Sequence, residues 1–286
     1  MTCPNHYLSL NSEIISEIPI FLKKHEIFVR GEYLCINKQK YFLNNELEQY
    51  VVDYLIQISN LVEESVWYRT ADFIPSLMKY LDGHDGIVDE GGIISNRGVK
   101  HNILSKESFK REIQCIIRAN SKCNNKIHII LPYISTENEL KEIINILNEE
   151  GYKGKIRIMV ETPGIVQILD DILKKYDIDG VIIGLNDLTS LSLGVKRDSF
   201  FYDNVSDSIK KQVLYVNDVC AIFDKKCYIF GNITKKVIDV YSDLGLVNFI
   251  IHYHLIPEIF DEDSDKYDCH FRRMSKIFYE KRLKNS

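Results

Sequence analysis

The sequence predicts an α/β protein folded as a single (β/α)8 barrel of the TIM type, and three observations carry that expectation. Eight short apolar runs recur along the chain, each of a length that suits a buried strand. Longer stretches between them repeat their apolar residues at helical spacing. Strands that alternate with helices imply parallel pairing, because parallel neighbours need a crossover, and eight such units in about 250 residues is the usual size of a closed barrel. An open doubly wound sheet is the competing architecture, but no GxGxxG turn follows any of the runs.

The first run is YLSLN at 7–11, followed by a helical pattern from Ser12 to Leu22. IFVRGEYL at 27–34, VWYRT at 66–70 and IHIILPY at 127–133 are the second, third and fourth. Ser135, Thr136 and Glu139 then read as a capping box that opens a helix with Leu140, Ile143, Ile144 and Leu147 on one face. The fifth run is IRIMVET at 156–162, and Pro163 suits the first turn of a helix whose apolar side is Ile165, Ile168, Leu169, Ile172 and Leu173. GVIIGL at 180–185, CYIFG at 227–231 and VNFII at 247–251 complete the eight. No segment is rich in Pro, Gly or Ser, so no linker divides the chain. Residues 1–260 are expected to form one barrel domain, and 261–286 a charged C-terminal helix or tail packed on it or extending from it.

Lys and Arg number 36 against 41 Asp and Glu, a net charge of −5 that argues against nucleic acid or an anionic membrane surface as a broad partner. No apolar run reaches the length of a membrane span, and no secretory signal is visible at the N-terminus. Cys3, Cys35, Cys115, Cys123, Cys220, Cys227 and Cys269 are scattered without CxxC pairs or His/Cys metal spacing. The expectation is a cytoplasmic protein with reduced thiols, neither disulfide-stapled nor built on structural zinc.

Barrel enzymes assemble their sites at the C-terminal ends of the strands, and several runs end there in charge. Arg30 and Glu32 close the second run, Arg69 and Asp72 the third, Glu161 the fifth, and Asn186 with Asp187 the sixth. Arg97 and Arg197 fall in loops on the same side. Two carboxylates and an amide converging there suit a hard divalent cation such as Mg²⁺, with water and substrate oxygens completing the shell. Arginines around it suit a small acid, since guanidinium grips phosphate or carboxylate in a bidentate fork. Taken singly, Arg30 with Glu32 or Arg69 with Asp72 reads more readily as a structural ion pair at the rim, and Glu161 or Asp187 as a loop cap or solvated carboxylate; the joint pattern is what points to a ligand.

The phrases VRGEYL, YRTADF, SNRGVKH, ILPYISTENEL, MVETPG and IIGLNDLTSLSLGVKR resemble, in this order, the barrel domain of the phosphoenolpyruvate-utilising enzymes. That family includes phosphoenolpyruvate synthase, pyruvate phosphate dikinase and enzyme I of the sugar phosphotransferase system. The resemblance runs from Leu8 to Pro257, with Lys100 standing where the family has a second arginine. It implies a Mg²⁺ cofactor on Glu161 and Asp187, and phosphoenolpyruvate or a 2-oxo acid held by Arg30, Arg69, Arg97, Asn186 and Arg197. Of these, Arg69, Arg97, Asn186 and Arg197 would also serve catalysis. It further implies a homodimer, and a phosphoryl group passed to a histidine on a separate swivelling domain, leaving the pyruvate enolate.

Two departures shape the functional expectation. The family places a proton-exchanging cysteine after the seventh strand, where this sequence has Phe230; Cys227 is three residues away and alternation points it to the other face. The phosphohistidine and nucleotide-binding domains are expected to be absent, so a phosphoryl relay would need a phosphohistidine-domain protein in trans. His252 and His254, after the eighth run, are alternative proton carriers if they reach the barrel mouth, and ordinary loop histidines otherwise. His84, in a Gly-rich loop, reads as part of a cover or as functionally silent. The leading expectation is a Mg²⁺-dependent enzyme related to phosphoenolpyruvate-dependent transferases. The alternatives are a Mg²⁺-dependent pyruvate-enolate aldolase or lyase, and a non-catalytic ligand-binding partner subunit.

Overall fold

Eight strands close on themselves in the computed structural model of the protein, which describes residues 4–11, 23–73, 78–86, 96–124 and 126–260. The strands are β1 (Asn5–Leu10), β2 (Ile27–Arg30), β3 (Val66–Arg69), β4 (Ile127–Leu131), β5 (Ile156–Val160), β6 (Gly180–Gly184), β7 (Lys226–Phe230) and β8 (Asn248–His252). All neighbours are parallel, and β1 closes the ring through Leu8, which pairs with Ile27 on β2 and with Ile251 on β8. The expected (β/α)8 barrel is the observed one. The helical segment expected from Ser12 to Leu22 and the C-terminal segment 261–286 lie outside the described residues. No helix among the described residues is long and apolar enough to cross a membrane.

Period-two alternation divides the strand side chains into two layers. Tyr7, Phe28, Trp67, Ile130, Met159, Ile182, Tyr228, Phe230 and Ile250 fill the barrel interior as one cluster. The intervening residues, among them Leu8, Val29, Tyr68, Ile129, Ile158, Val181 and Cys227, pack outward against the helices. Each fully buried aliphatic side chain of this kind contributes on the order of 1.5–3 kcal/mol, which is why short apolar runs suffice to specify the strands. Arg157 crosses the interior at the strand N-termini, bonding Glu26 through both amino nitrogens at 3.0 Å and stacking over Trp67 at 3.6 Å. It forms the charged floor of the barrel.

Local sequence explains most of the helical starts. α1 (Gly31–Lys38) and α2 (Asn45–Leu61) follow β2, and the Asn44 side chain caps α2 by accepting from the Glu46 amide at 3.0 Å. α3 (Val99–Leu104) and α4 (Lys106–Asn120) precede β4. α5 (Glu137–Glu149) carries the expected capping box between Thr136 and Glu139. α6 (Pro163–Gln167) has Pro163 in its first turn, and α7 (Leu169–Lys175), α8 (Leu185–Leu193), α9 (Asp207–Ile222), α10 (Lys235–Asp243) and α11 (Ile256–Phe260) complete the described set.

Most strand ends lie within two residues of the apolar runs, and two segments depart further. The second apolar run does not stay extended to residue 34, because the chain turns into α1 at Gly31. A Cβ there would lie 2.3 Å from the Tyr68 hydroxyl and 2.8 Å from the Arg69 carbonyl, so the turn needs glycine. The helix expected from Pro163 to Leu173 is two helices broken at Ile168, whose φ of −120° leaves the helical region.

Candidate active site

The turn at Gly31 brings two charges to the mouth of the barrel. Arg30 ends β2 and its Nε donates to Glu32 Oε1 at 2.9 Å. The same oxygen accepts from Arg69, at the end of β3, through a short bond. Arg69 also lies 3.9 Å from Asp72. Asp72 receives a two-pronged bond from Arg97, at 3.1 and 2.8 Å. Arg97 reaches within 4.0 Å of Asp187, and Asp187 accepts from Arg197 at 2.5 Å. The charged residues singled out in the sequence therefore form one alternating chain of four arginines and three carboxylates across the strand ends. Glu32 and Asp72 are the links that hold it together.

Glu161 enters from the end of β5 and is only 2% exposed. Its Oε2 accepts from the Tyr133 amide at 2.9 Å. Gly184 makes room for it, since a Cβ at that position would lie 2.4 Å from the Glu161 Cγ. Tyr133 has a positive φ of 56°, uncommon for a bulky side chain, and its ring lies under the Arg97 guanidinium at 4.3 Å. One residue thus aligns a carboxylate with its backbone and a cation with its ring. Sequence periodicity carries no sign of this, and Tyr133 is the main site residue that the sequence reading missed.

Asn186 and Asp187 sit in the first turn of α8. The Asn186 side-chain oxygen accepts from the Asn232 amide at 3.1 Å and from the Tyr202 hydroxyl at 3.3 Å. Because a backbone N–H is a donor only, it fixes the amide orientation and leaves the Asn186 nitrogen to donate. Asn186 is therefore suited to an anionic ligand rather than to a cation. Lys100 pairs instead with Glu139 at 3.8 Å, and exposed His84 accepts from the Gly86 amide at 3.1 Å. Neither joins the charged chain.

Burial raises the Glu161 carboxyl to about 8, helped by the charges of Asp187 and Asp72 and opposed by Arg69. Asp72 moves the other way: burial alone would raise it, but Arg97 and Arg69 hold it below the usual carboxylate range. Burial also works against the charge of Arg69, Arg97 and Arg197, yet their carboxylate partners keep all three more basic than usual. A buried acid made reluctant to ionise by a second acid is what an added cation would relieve. Glu161 and Asp187 offer carboxylate oxygens of the kind a hard divalent ion takes. Among the described residues no group of three or more His, Cys, Asp or Glu is placed to hold a metal. An ion here would complete its shell with oxygens of water and ligand.

Below the arginines lies a small cavity lined by Ser9, Arg30, Arg69, Met159 and Phe230 among others. Buried Ser9 Oγ, Arg69 Nε and Glu32 Oε2 have no hydrogen-bond partner, so the region holds polar capacity that the protein leaves unused. The Phe230 ring lies 5.9 Å from the Arg30 guanidinium, 6.0 Å from that of Arg69 and 4.8 Å from the ring of His252. Cys227 faces the outer layer, as alternation along β7 requires, so no thiol replaces Phe230 at the mouth.

The sequence profile described as PEP-utilising enzyme, PEP-binding domain, matches residues 28–260. The chain is 27% identical over 205 residues to a probable phosphoenolpyruvate synthase of Archaeoglobus fulgidus, covering 67% of this chain and 27% of that protein. It is 33% identical over 177 residues to the phosphoenolpyruvate synthase of Helicobacter pylori, covering 57% of this chain and 22% of that one. The chain thus spans about a quarter of the length of these curated relatives. Among solved structures, an HpcH/HpaI aldolase/citrate lyase family protein from Burkholderia cenocepacia superimposes with a TM-score of 0.56 at 11% identity, over 87% of this chain and 88% of its own. A citrate lyase from Burkholderia xenovorans gives 0.53 at 13% identity, over 99% and 84%. At such identities the likeness is one of fold.

Proposed function

The chain belongs to the PEP-utilising enzymes through their PEP-binding domain, and on that premise we propose that it binds phosphoenolpyruvate, or the enolate of pyruvate, together with Mg²⁺. The observation that supports this most is the alternating chain from Arg30 to Arg197, with Asp187 as one of its links and Glu161 close enough to feel the charges of Asp187, Asp72 and Arg69. Glu161 and Asp187 would hold the ion, which supplies Lewis-acid neutralisation of ligand oxygens when bound. Arg30, Arg69, Arg97 and Arg197 would grip the phosphate and carboxylate as the Asn186 nitrogen donates to the ligand. Fixed donors of this kind stabilise charge that develops on phosphoryl and enolate oxygens without reorganising. The acid partners Glu32 and Asp72 keep the arginines in place before ligand arrives.

In this reading the phosphoryl group is exchanged with a phosphohistidine domain, and the barrel works as a homodimer in the cytoplasm. A second reading is favoured by Phe230, an apolar ring beside the Arg30 and Arg69 guanidiniums. There the enolate attacks a carbonyl carbon and the protein is a carbon–carbon lyase. Pyruvate release from 4-hydroxy-2-oxo acids would support the lyase, and silence across a broad set would remove it. A non-catalytic binding subunit would keep the same ion pairs, so turnover separates it from both.

Arg197 gives the cleanest binding test, because half of its side chain is exposed and its loss should leave the fold intact. Arg197→Met is expected to weaken phosphoenolpyruvate binding by about 1.5–3 kcal/mol, a factor of roughly 10 to 150, the usual range for a charge-assisted hydrogen bond. Calorimetric titration in the presence of Mg²⁺ measures it. Unchanged affinity in the variant would take Arg197 out of the ligand site.

A further inference from the structure

We propose that His252 is the proton carrier of this site, moving a proton between its ring and the carbon next to the carbonyl of a bound 2-oxo acid. The proposal rests on the reading of the mouth as a 2-oxo acid or enolate site, and adds to it the group that does the proton transfer. His252 is the last residue of β8, at the same end of the barrel as Arg30 and Arg69. Its ring lies on Phe230, which itself faces both guanidiniums. Its Nδ1 is buried and has no hydrogen-bond partner, and the Phe230 ring on which it packs lines the cavity that also leaves Ser9 Oγ and Arg69 Nε unbonded.

The contrast with His101 is instructive. That imidazole is buried at 3% exposure and tied to Asp85 at 2.9 Å, the arrangement of a structural histidine. His252 instead has Arg30 facing it from β2, Arg69 from β3 and Arg197 from the loop after α8, with His254 stacked behind it at 5.4 Å. Burial first, and then these neighbours, push its pKa well below the ordinary imidazole value. The ring is therefore neutral at physiological pH and free to accept a proton. The residue as a whole is half-buried, while Nδ1 itself is shielded from solvent.

The step balances without an added reagent. The carbon–hydrogen bond next to the carbonyl breaks and its electron pair becomes the carbon–carbon double bond of the enolate. The charge moves to oxygen among the arginines, and the proton goes to the His252 ring, which becomes imidazolium. The reverse step returns a proton drawn from solvent, so nothing is oxidised or reduced. Either direction of enolate chemistry, and the release of pyruvate from a cleaved precursor, would use it.

The test is solvent exchange of the pyruvate methyl protons in D₂O with Mg²⁺, followed by proton NMR, with oxalate titration on the same preparations. The wild-type protein is expected to exchange the methyl protons and to bind oxalate. His252→Asn is expected to keep its oxalate affinity and lose exchange by about 10²-fold or more, the range for general acid–base catalysis. His252→Gln serves as a second variant if the first does not fold. The wild-type rate should rise with pH through a midpoint below the ordinary imidazole value of about 6.5, and the variants should lack that step. Oxalate binding without exchange, or undiminished exchange in the variants, overturns the role of His252 and leaves the binding reading standing. Absence of oxalate binding overturns both.

Discussion

Tyr133 shows how much a single residue can determine at this site. Its left-handed backbone presents an amide to Glu161, while its ring supports Arg97 at 4.3 Å. A cation over an aromatic face contributes about 0.5–2 kcal/mol depending on desolvation. Tyr133→Ala is therefore expected to weaken phosphoenolpyruvate binding by a factor of roughly 2 to 30, and Tyr133→Phe to bind as the wild type does. Equilibrium titration distinguishes ring from hydroxyl: equal loss in both variants would mean that the hydroxyl, not the ring, matters. The same scale explains what the sequence could not disclose. Arg30, Arg69, Glu161 and Asp187 are visible because they end apolar runs. Tyr133 looks like one more strand residue until φ and the Glu161 contact are known.

α4 is the element that braces the charged rim from outside. Its Glu112, fully buried, accepts from the Tyr68 hydroxyl of β3 and from the Ala71 amide, both at 2.8 Å, next to the turn that carries Asp72. Burial raises this carboxyl to about 8 and Glu32 adds to the rise, while its two hydrogen bonds oppose it. A folded-state pKa above the unfolded value near 4.3 means that the folded protein holds a proton the unfolded chain releases. Stability from this group is complete below the unfolded value and is lost as pH rises towards 8. Glu112→Gln keeps the accepting oxygen and should flatten the fall of melting temperature between pH 5 and 8, leaving the variant relatively more stable at the upper end. A parallel fall in wild type and variant would place the pH dependence elsewhere. Strand positions were legible from apolar runs, and α5 from its capping box. The ends of β2 and of the helix after Pro163 were not, because the close approach of Tyr68 to Gly31 and the break at Ile168 arise from packing between distant segments.

The molecule as a whole turns residues far apart in sequence into one surface, and only closure of the barrel does so. Arg30 and Arg197 become ends of one ion chain because parallel pairing puts every strand C-terminus on the same side. The alternation of runs and helices was enough to expect that side, and the family motifs pointed to charged residues that the structure brings together there. The pairing itself, with Glu32 shared by two arginines and Asp72 gripped by Arg97, needed three dimensions. The family profile supports phosphoenolpyruvate as ligand, and the aldolase and lyase barrels support the fold. On the proposed function, Glu161, Asp187 and the arginines form a working site for an enolate and Mg²⁺. Calorimetric titration with oxalate, a planar mimic of the pyruvate enolate, tests it most directly when run with and without Mg²⁺ on the wild type and on Asp187→Asn. Binding that requires Mg²⁺ and disappears in the variant is the predicted result. No binding under either condition, or binding indifferent to Mg²⁺ and to the substitution, would contradict it.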